Sequence, residues 1–198
     1  MLSLKFMSTG ILLLLLSFIS NSSETRIQPT QIKNLVTFGD SYTDVDSGSN
    51  GGTAWPVYAA GYASVSLFSF ARAGATCSNN ITFRPSPSVF ESQLPTYFQS
   101  NASKLDPNET LYTLWIGTND LGENALLTGS DNASLVDVTA CMVNWVTTLY
   151  NCGAQNFLFQ NVGLFHLISR LAMKCSSERD LISVVIDDSA GERDPLCA

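Results

Sequence analysis

The chain has 198 residues, 45% of them hydrophobic and 14% charged, with a formal net charge of -7. That length is ordinary for one domain, and the apolar content is too high for a disordered tail. The acidic balance, with no Lys/Arg cluster able to follow a phosphate backbone, argues against a nucleic-acid partner.

Residues 1–22 read as a signal peptide. Lys5 supplies the positive start, Ile11–Ile19 the apolar segment, and Ser20, Asn21, Ser22 and Ser23 the small residues for cleavage after Ser22. The apolar run is short for a bilayer and no basic stop-transfer cluster follows it, so no membrane attachment is expected after cleavage. Secretion also fits the Asn-X-Ser/Thr sequons at Asn80, Asn101, Asn108 and Asn132. The five cysteines, Cys77, Cys141, Cys152, Cys175 and Cys197, are expected to pair where geometry allows, leaving one over. None has CxxC spacing, so no metal site is indicated, and Cys77 reads as a structural or buried thiol.

Residues 23–198 are expected to form one domain. Leu35-Val36-Thr37-Phe38 is an apolar run that stops at Gly39-Asp40-Ser41, the pattern of a buried strand ending in a tight turn. A loop of Gly, Ser, Asp and Asn follows. Trp55-Pro56 opens a short helix to about Ala60, with Gly61 placed to end it. A second strand is expected over Ser66–Ala71, followed by Arg72-Ala73-Gly74-Ala75-Thr76.

Val89, Phe90, Leu94, Tyr97 and Phe98 share one helical face, which Pro95 should break or kink. The third strand, Thr110–Ile116, runs into Gly117-Thr118-Asn119-Asp120. Leu135, Val138, Met142, Trp145, Val146 and Leu149 outline an amphipathic helix ending near Gly153, and Phe157–Val162 is a fourth strand. Leu181–Ile186 is a candidate strand in the tail. Alternating strands and helices imply βαβ units: an α/β fold with a central parallel sheet and helices on both faces. Right-handed crossovers then bring the turns at Ser41, Gly74 and Asn119 to one edge.

Those three turns make chemical sense together. A serine attacking an ester carbonyl creates an oxyanion, which needs donors about 3 Å away. Ser41 and Gly74 offer backbone N–H groups and Asn119 a side-chain amide.

Phe38-Gly39-Asp40-Ser41-Tyr42-Thr43-Asp44 resembles the nucleophile block of the GDSL or SGNH hydrolases. Gly74 in Ala73-Gly74-Ala75-Thr76-Cys77 matches their glycine block, and Gly117-Thr118-Asn119-Asp120 their asparagine block. Gly52-Thr53-Ala54-Trp55-Pro56 and Gly61-Tyr62-Ala63 are similar to a fungal-type branch of secreted acetylesterases, the sixteenth carbohydrate esterase family. The resemblance covers residues 34–162, and residues 163–198 form a divergent tail. It implies a flavodoxin-like three-layer α/β/α fold, here with an incomplete C-terminal part. It also implies ester hydrolysis through an acyl-Ser41 intermediate, with Gly74 and Asn119 as oxyanion donors and no cofactor or metal. The implied partner is a small-molecule or oligosaccharide ester, and a monomer is expected.

The family's base is a histidine in a C-terminal Asp-X-X-His motif. The one histidine here is His166, directly after the fourth strand, and position 163 is Gly163 rather than Asp. His166 is therefore a poor match for the base, and a loop or helix histidine is the blander reading. The expectation is either a secreted deacetylating hydrolase or a truncated, misread or catalytically incomplete relative that at most binds carbohydrate. Trp55, Tyr58 and Trp115 are candidate sugar-stacking rings, with packing the more ordinary role for Trp115. A flavodoxin-like binding protein is disfavoured because the first turn lacks a Gly-rich phosphate cradle.

Overall fold

The computed structural model describes residues 27–47, 52–122, 125–126 and 133–160. The expected signal peptide, the sequon at Asn132, His166, Cys175, Cys197 and the candidate strand Leu181–Ile186 lie outside the described residues.

Four strands form one parallel sheet in the order β2-β1-β3-β4. They are β1 (Asn34–Gly39), β2 (Ser66–Ser69), β3 (Thr110–Trp115) and β4 (Asn156–Phe159). The helices are α1 (Trp55–Ala63), α2 (Leu94–Gln99), α3 (Thr118–Leu121) and α4 (Leu135–Asn151). The chain moves from β1 outward to β2, then returns to place β3 on the other side of β1. That reversal is a topological switch point, where flavodoxin-like α/β folds open a crevice beyond the strand ends. Ser41 lies two residues past the end of β1. The flavodoxin-like α/β fold expected from sequence is the one observed.

Period-two alternation divides the residues of β1. Val36 and Phe38 face an aromatic core, with Phe38 5.6 Å from each of Phe70, Tyr97 and Trp145 by ring centroids. Trp145 of α4 also meets Phe157 and Phe159 of β4. Phe38 and Trp145 are both fully buried and are the two largest fully buried side chains among the described residues. The start of α4 is held by a capping box in which the side chains of Ser134 and Asp137 serve each other's backbone N–H.

Several boundaries differ from expectation; β3, for one, ends at Trp115 rather than Ile116. α1 passes through Gly61 to Ala63 and ends where Ser64 adopts a left-handed conformation, φ 54°. Gly61 meets no neighbouring atom, so nothing there forces a turn. β2 stops at Ser69, although Phe70 and Arg72 continue to bond Thr37 and Gly39 from outside regular strand geometry. The expected break at Pro95 is preceded by a π-helical turn, Val89–Gln93, whose closing bond runs from Leu94 N to Val89 O. Pro95 then occupies the first turn of α2, where its missing N–H costs little. β4 spans Asn156–Phe159, one residue earlier at its start than expected, and Val162 lies outside the described residues.

Cys77 is not a thiol but half of a disulfide with Cys141, which ties the segment after Gly74 to α4. Cys152 is also disulfide-bonded. Among the described residues no helix is long and apolar enough to cross a membrane.

Candidate active site

The turn after β1 is built by Asp40. Its backbone carbonyl accepts from the amides of Thr43 and Asp44, each at 3.0 Å, and its carboxylate accepts from Tyr42 N at 3.1 Å. This local Asx-type pairing folds residues 40–44 into one compact turn and places Ser41, partly exposed, on its outer side. Gly39 is required just before it. At φ 146° a side chain would be strained, and a Cβ would be driven into the carbonyl oxygen of Trp115. Asp40 N donates to that same carbonyl at 3.2 Å, which explains why the two strands approach so closely here.

The glycine turn is closed by Ala75 N donating to Arg72 O at 3.1 Å, with Gly74 at φ 79° in its third position. Positive φ at that position is the type II requirement that glycine meets without strain. Asp44 joins the two turns, since one carboxylate oxygen accepts from Ala73 N at 2.8 Å while the other accepts from Asp46 N at 2.9 Å. Arg72 and Asp46 add an ion pair at 3.4 Å.

Asn119 lies in α3, directly after β3. Its Nδ2 donates to Ala75 O at 2.8 Å, so the asparagine turn is tied to the glycine turn. One hydrogen of the NH2 group is used in this way, and the other is directed elsewhere by the planarity of the amide. Asp120 completes the connection by accepting from Cys77 N with both oxygens at 3.1 Å. The three turns singled out in the sequence are thus joined by hydrogen bonds between residues as much as 44 positions apart. Asp40, Asp44 and Asp120 thus each accept backbone N–H groups around these turns.

Two of these carboxyls are fully buried and sit directly beside the residues of interest. Burial pushes Asp40 up to about 6, against the partial relief of its bond from Tyr42 N. Burial likewise pushes Asp120 up to about 6, partly offset by Cys77 N, with the charge on Asp40 raising it further and Arg84 lowering it. Arg84 reaches the same region by donating from Nη2 to Asn119 O at 3.4 Å. No cluster of three or more His, Cys, Asp or Glu suited to a metal ion occurs among the described residues.

Aromatic rings border the turn. Tyr42, 45% exposed, stacks on Trp115 with centroids 5.2 Å apart and planes 9° from parallel. Trp55 Nε1 donates to Thr43 Oγ1 at 3.2 Å, linking the first residue of α1 to the turn. Tyr58 and Tyr62 stand exposed further along α1.

Sequence reasoning missed Gln93 and Glu91. Glu91 accepts from Ser78 Oγ, Ser88 Oγ, Asn79 N and Asn80 Nδ2, which pins the loop following the glycine turn and lowers its carboxyl pKa despite the opposing effect of partial burial. Gln93 grips Gly39 itself. The available signal was a glutamine four residues from Val89 and four from Tyr97, on the apolar face of a helical segment.

The model of the GDSL-like lipase/acylhydrolase family matches residues 35–176, well over half of the chain. An acetylesterase of Hypocrea jecorina is 28% identical over 165 residues, covering 65% of this chain and 47% of that protein. The chain spans about half the length of this curated relative. One solved structure superposes with a TM-score of 0.42 at 18% identity, over 67% of this chain and 57% of its own, a likeness too slight to support an argument.

Proposed function

Because the chain belongs to the GDSL-like lipase/acylhydrolase family, we propose that it is a secreted serine ester hydrolase acting on acetylated carbohydrate through acyl-Ser41. The observation that carries this reading is the bonding of the Ser41, Gly74 and Asn119 turns into one rim, through Asp44 to Ala73 and Asn119 to Ala75. Ser41 Oγ attacks the ester carbonyl carbon and gives up its proton to a base. The carbonyl oxygen, now an oxyanion, is met by the N–H groups of Ser41 and Gly74 and by the amide of Asn119. Collapse of that intermediate expels the protonated alcohol and leaves the acyl group on Ser41, and water then releases it as the acid.

The printed name of the Hypocrea jecorina relative supports acetyl as the acyl group. The exposed faces of Tyr42, Tyr58 and Tyr62 support a sugar ring as the alcohol side. The disulfide between Cys77 and Cys141 supports an oxidising compartment, and hence secretion.

A second reading rests on one observation: Gly163 stands three residues before the only histidine, His166, so this sequence contains no Asp-X-X-His motif. Under that reading the chain binds carbohydrate esters without turning them over, because an unassisted serine is a poor nucleophile near neutral pH. Hydrolysis of a small activated acetate ester by the purified chain separates the two, beside Ser41→Ala and His166→Ala. Loss of turnover in both variants identifies Ser41 as nucleophile and His166 as base. Equal rates for the wild type and Ser41→Ala establish the second reading.

A further inference from the structure

Gln93 is 2% exposed and is the last residue of the π-helical turn between the glycine turn and α2. Its side-chain amide lies against the peptide of Gly39. Oε1 accepts from Gly39 N at 3.0 Å and Nε2 donates to Gly39 O at 2.8 Å. A glutamine amide offers one acceptor and two donors in a plane, so this pairing resembles that of a neighbouring strand. β2 has ended at Ser69 opposite Thr37, two residues short of Gly39; beyond it Arg72 N still donates to Gly39 O at 3.1 Å, and Gln93 supplies the acceptor for Gly39 N. The remaining Nε2 hydrogen is directed to Pro87 O at 3.2 Å.

The same segment also grips the glycine turn. Val89 N donates to Thr76 O at 3.0 Å and Phe90 N to Cys77 O at 3.1 Å. Ser86 packs so closely on Gly74 that a Cβ there would collide with its hydroxyl. Residues 86–93 therefore hold the glycine turn with their backbone and β1 with Gln93. Gln93 ends a π-helical turn, two residues before Pro95, and π turns of this kind recur at functional sites.

We infer that Gln93 is a positioning residue that holds the Ser41 turn in register with Gly74, although it touches no substrate itself. The inference rests on the ester-hydrolase reading for its catalytic consequence, but its structural core does not depend on turnover. Displacing a nucleophile by an ångström relative to its oxyanion donors costs on the order of 10²-fold in rate.

The test uses the full secreted chain with its disulfides intact, in the variants Gln93→Met and Gln93→Glu. Gln93→Met keeps the side-chain length and removes both hydrogen-bonding groups. For a small activated acetate ester, kcat is expected to fall on the order of 10²-fold with KM unchanged. In Gln93→Glu the ionised carboxylate cannot donate to Gly39 O, whereas its protonated form can both donate and accept. The ratio of its kcat to that of the wild type is therefore expected to rise as pH falls, which lost packing alone would not produce.

Amide hydrogen exchange supplies the second readout. In Gln93→Met the amides of Gly39, Tyr42 and Ala75 are expected to exchange about tenfold faster or more, with those around Trp145 unchanged. Faster exchange at Gly39 alone, with Tyr42 and Ala75 unaffected, overturns the inference, as does unchanged exchange at all three. If the wild type and Ser41→Ala hydrolyse the ester equally, the ester-hydrolase reading fails, and exchange at Tyr42 and Ala75 still decides whether Gln93 holds the turns together.

Discussion

The side-chain amide of Asn119 donates to the carbonyl of Ala75 across 2.8 Å, so the turn after β3 is oriented by the glycine turn after β2. An amide held by one of its hydrogens presents the other in a fixed direction, the preorganisation an oxyanion donor requires. Under the proposed ester-hydrolase mechanism, Asn119→Ala removes an oxyanion donor. The expected loss in kcat is on the order of 10²–10³-fold, with the melting temperature shifted far less than the rate, since the exchanged bond is a single partly exposed one. Steady-state hydrolysis of an acetate ester and a thermal melt measure the two effects together.

Gly39→Ala tests the crowding between β1 and β3. The methyl group would meet the Trp115 carbonyl, and φ 146° is unfavourable for any L side chain. Overpacking and backbone strain together are expected to cost roughly 2–5 kcal/mol. Urea unfolding reads this as a lowered midpoint with an unchanged slope. Gly61→Ala, at a helical position with open space around it, is the matched control and is expected to be neutral or slightly stabilising.

The Cys77–Cys141 bond closes a sequence separation of 64 residues. A loop of that size gives an expected loss of about 4 kcal/mol when the paired change Cys77→Ala with Cys141→Ala opens it. Changing both cysteines leaves no lone thiol to mispair. Denaturant unfolding of the double variant beside the wild type measures the loss, and a reducing agent is expected to lower the stability of the wild type alone at this pair.

The buried carboxyls of Asp40 and Asp120 give a pH dependence of defined sign. Both are pushed up from 3.8 to about 6, so between those values the folded chain binds more protons than the unfolded one. Their contribution is present in full below pH 4 and is lost as pH rises towards 6, by roughly 3 kcal/mol for a group shifted by that much. Glu91, whose carboxyl is lowered, acts in the opposite sense and loses its contribution as pH falls through its folded value. The expected profile has a mildly acidic optimum. Asp120→Asn keeps acceptor capacity for Cys77 N and is expected to flatten the decline between pH 4 and 6, as urea midpoints across that range would register.

Hydrophobic patterning along the chain was sufficient to locate the four strands among the described residues, the amphipathic helix of α4 and the three turns bearing Ser41, Gly74 and Asn119. The reason is physical: burial of period-two and period-3.6 faces is a local constraint, visible in a window of a few residues. Parallel order followed from the alternation of strands and helices, because a crossover between parallel strands needs a connection long enough to hold a helix. Asp40's role was also local, a carboxylate bonding the amide of Tyr42 two residues on.

What tertiary structure decided was every interaction that spans the sheet. Gln93 bonds Gly39 across 54 positions, Asp120 bonds Cys77 across 43, and Cys141 bonds Cys77 across 64. A glutamine on an apolar helix face is an anomaly in sequence, but its partner is set by how the π turn docks against β1. Likewise Gly61 looked like a helix terminator, whereas α1, which packs against β2, runs past it to Ala63. Local propensity selects the elements. The partners of buried polar groups are selected only when those elements close on one another, because a polar group denied water must bond whatever the fold brings within 3 Å.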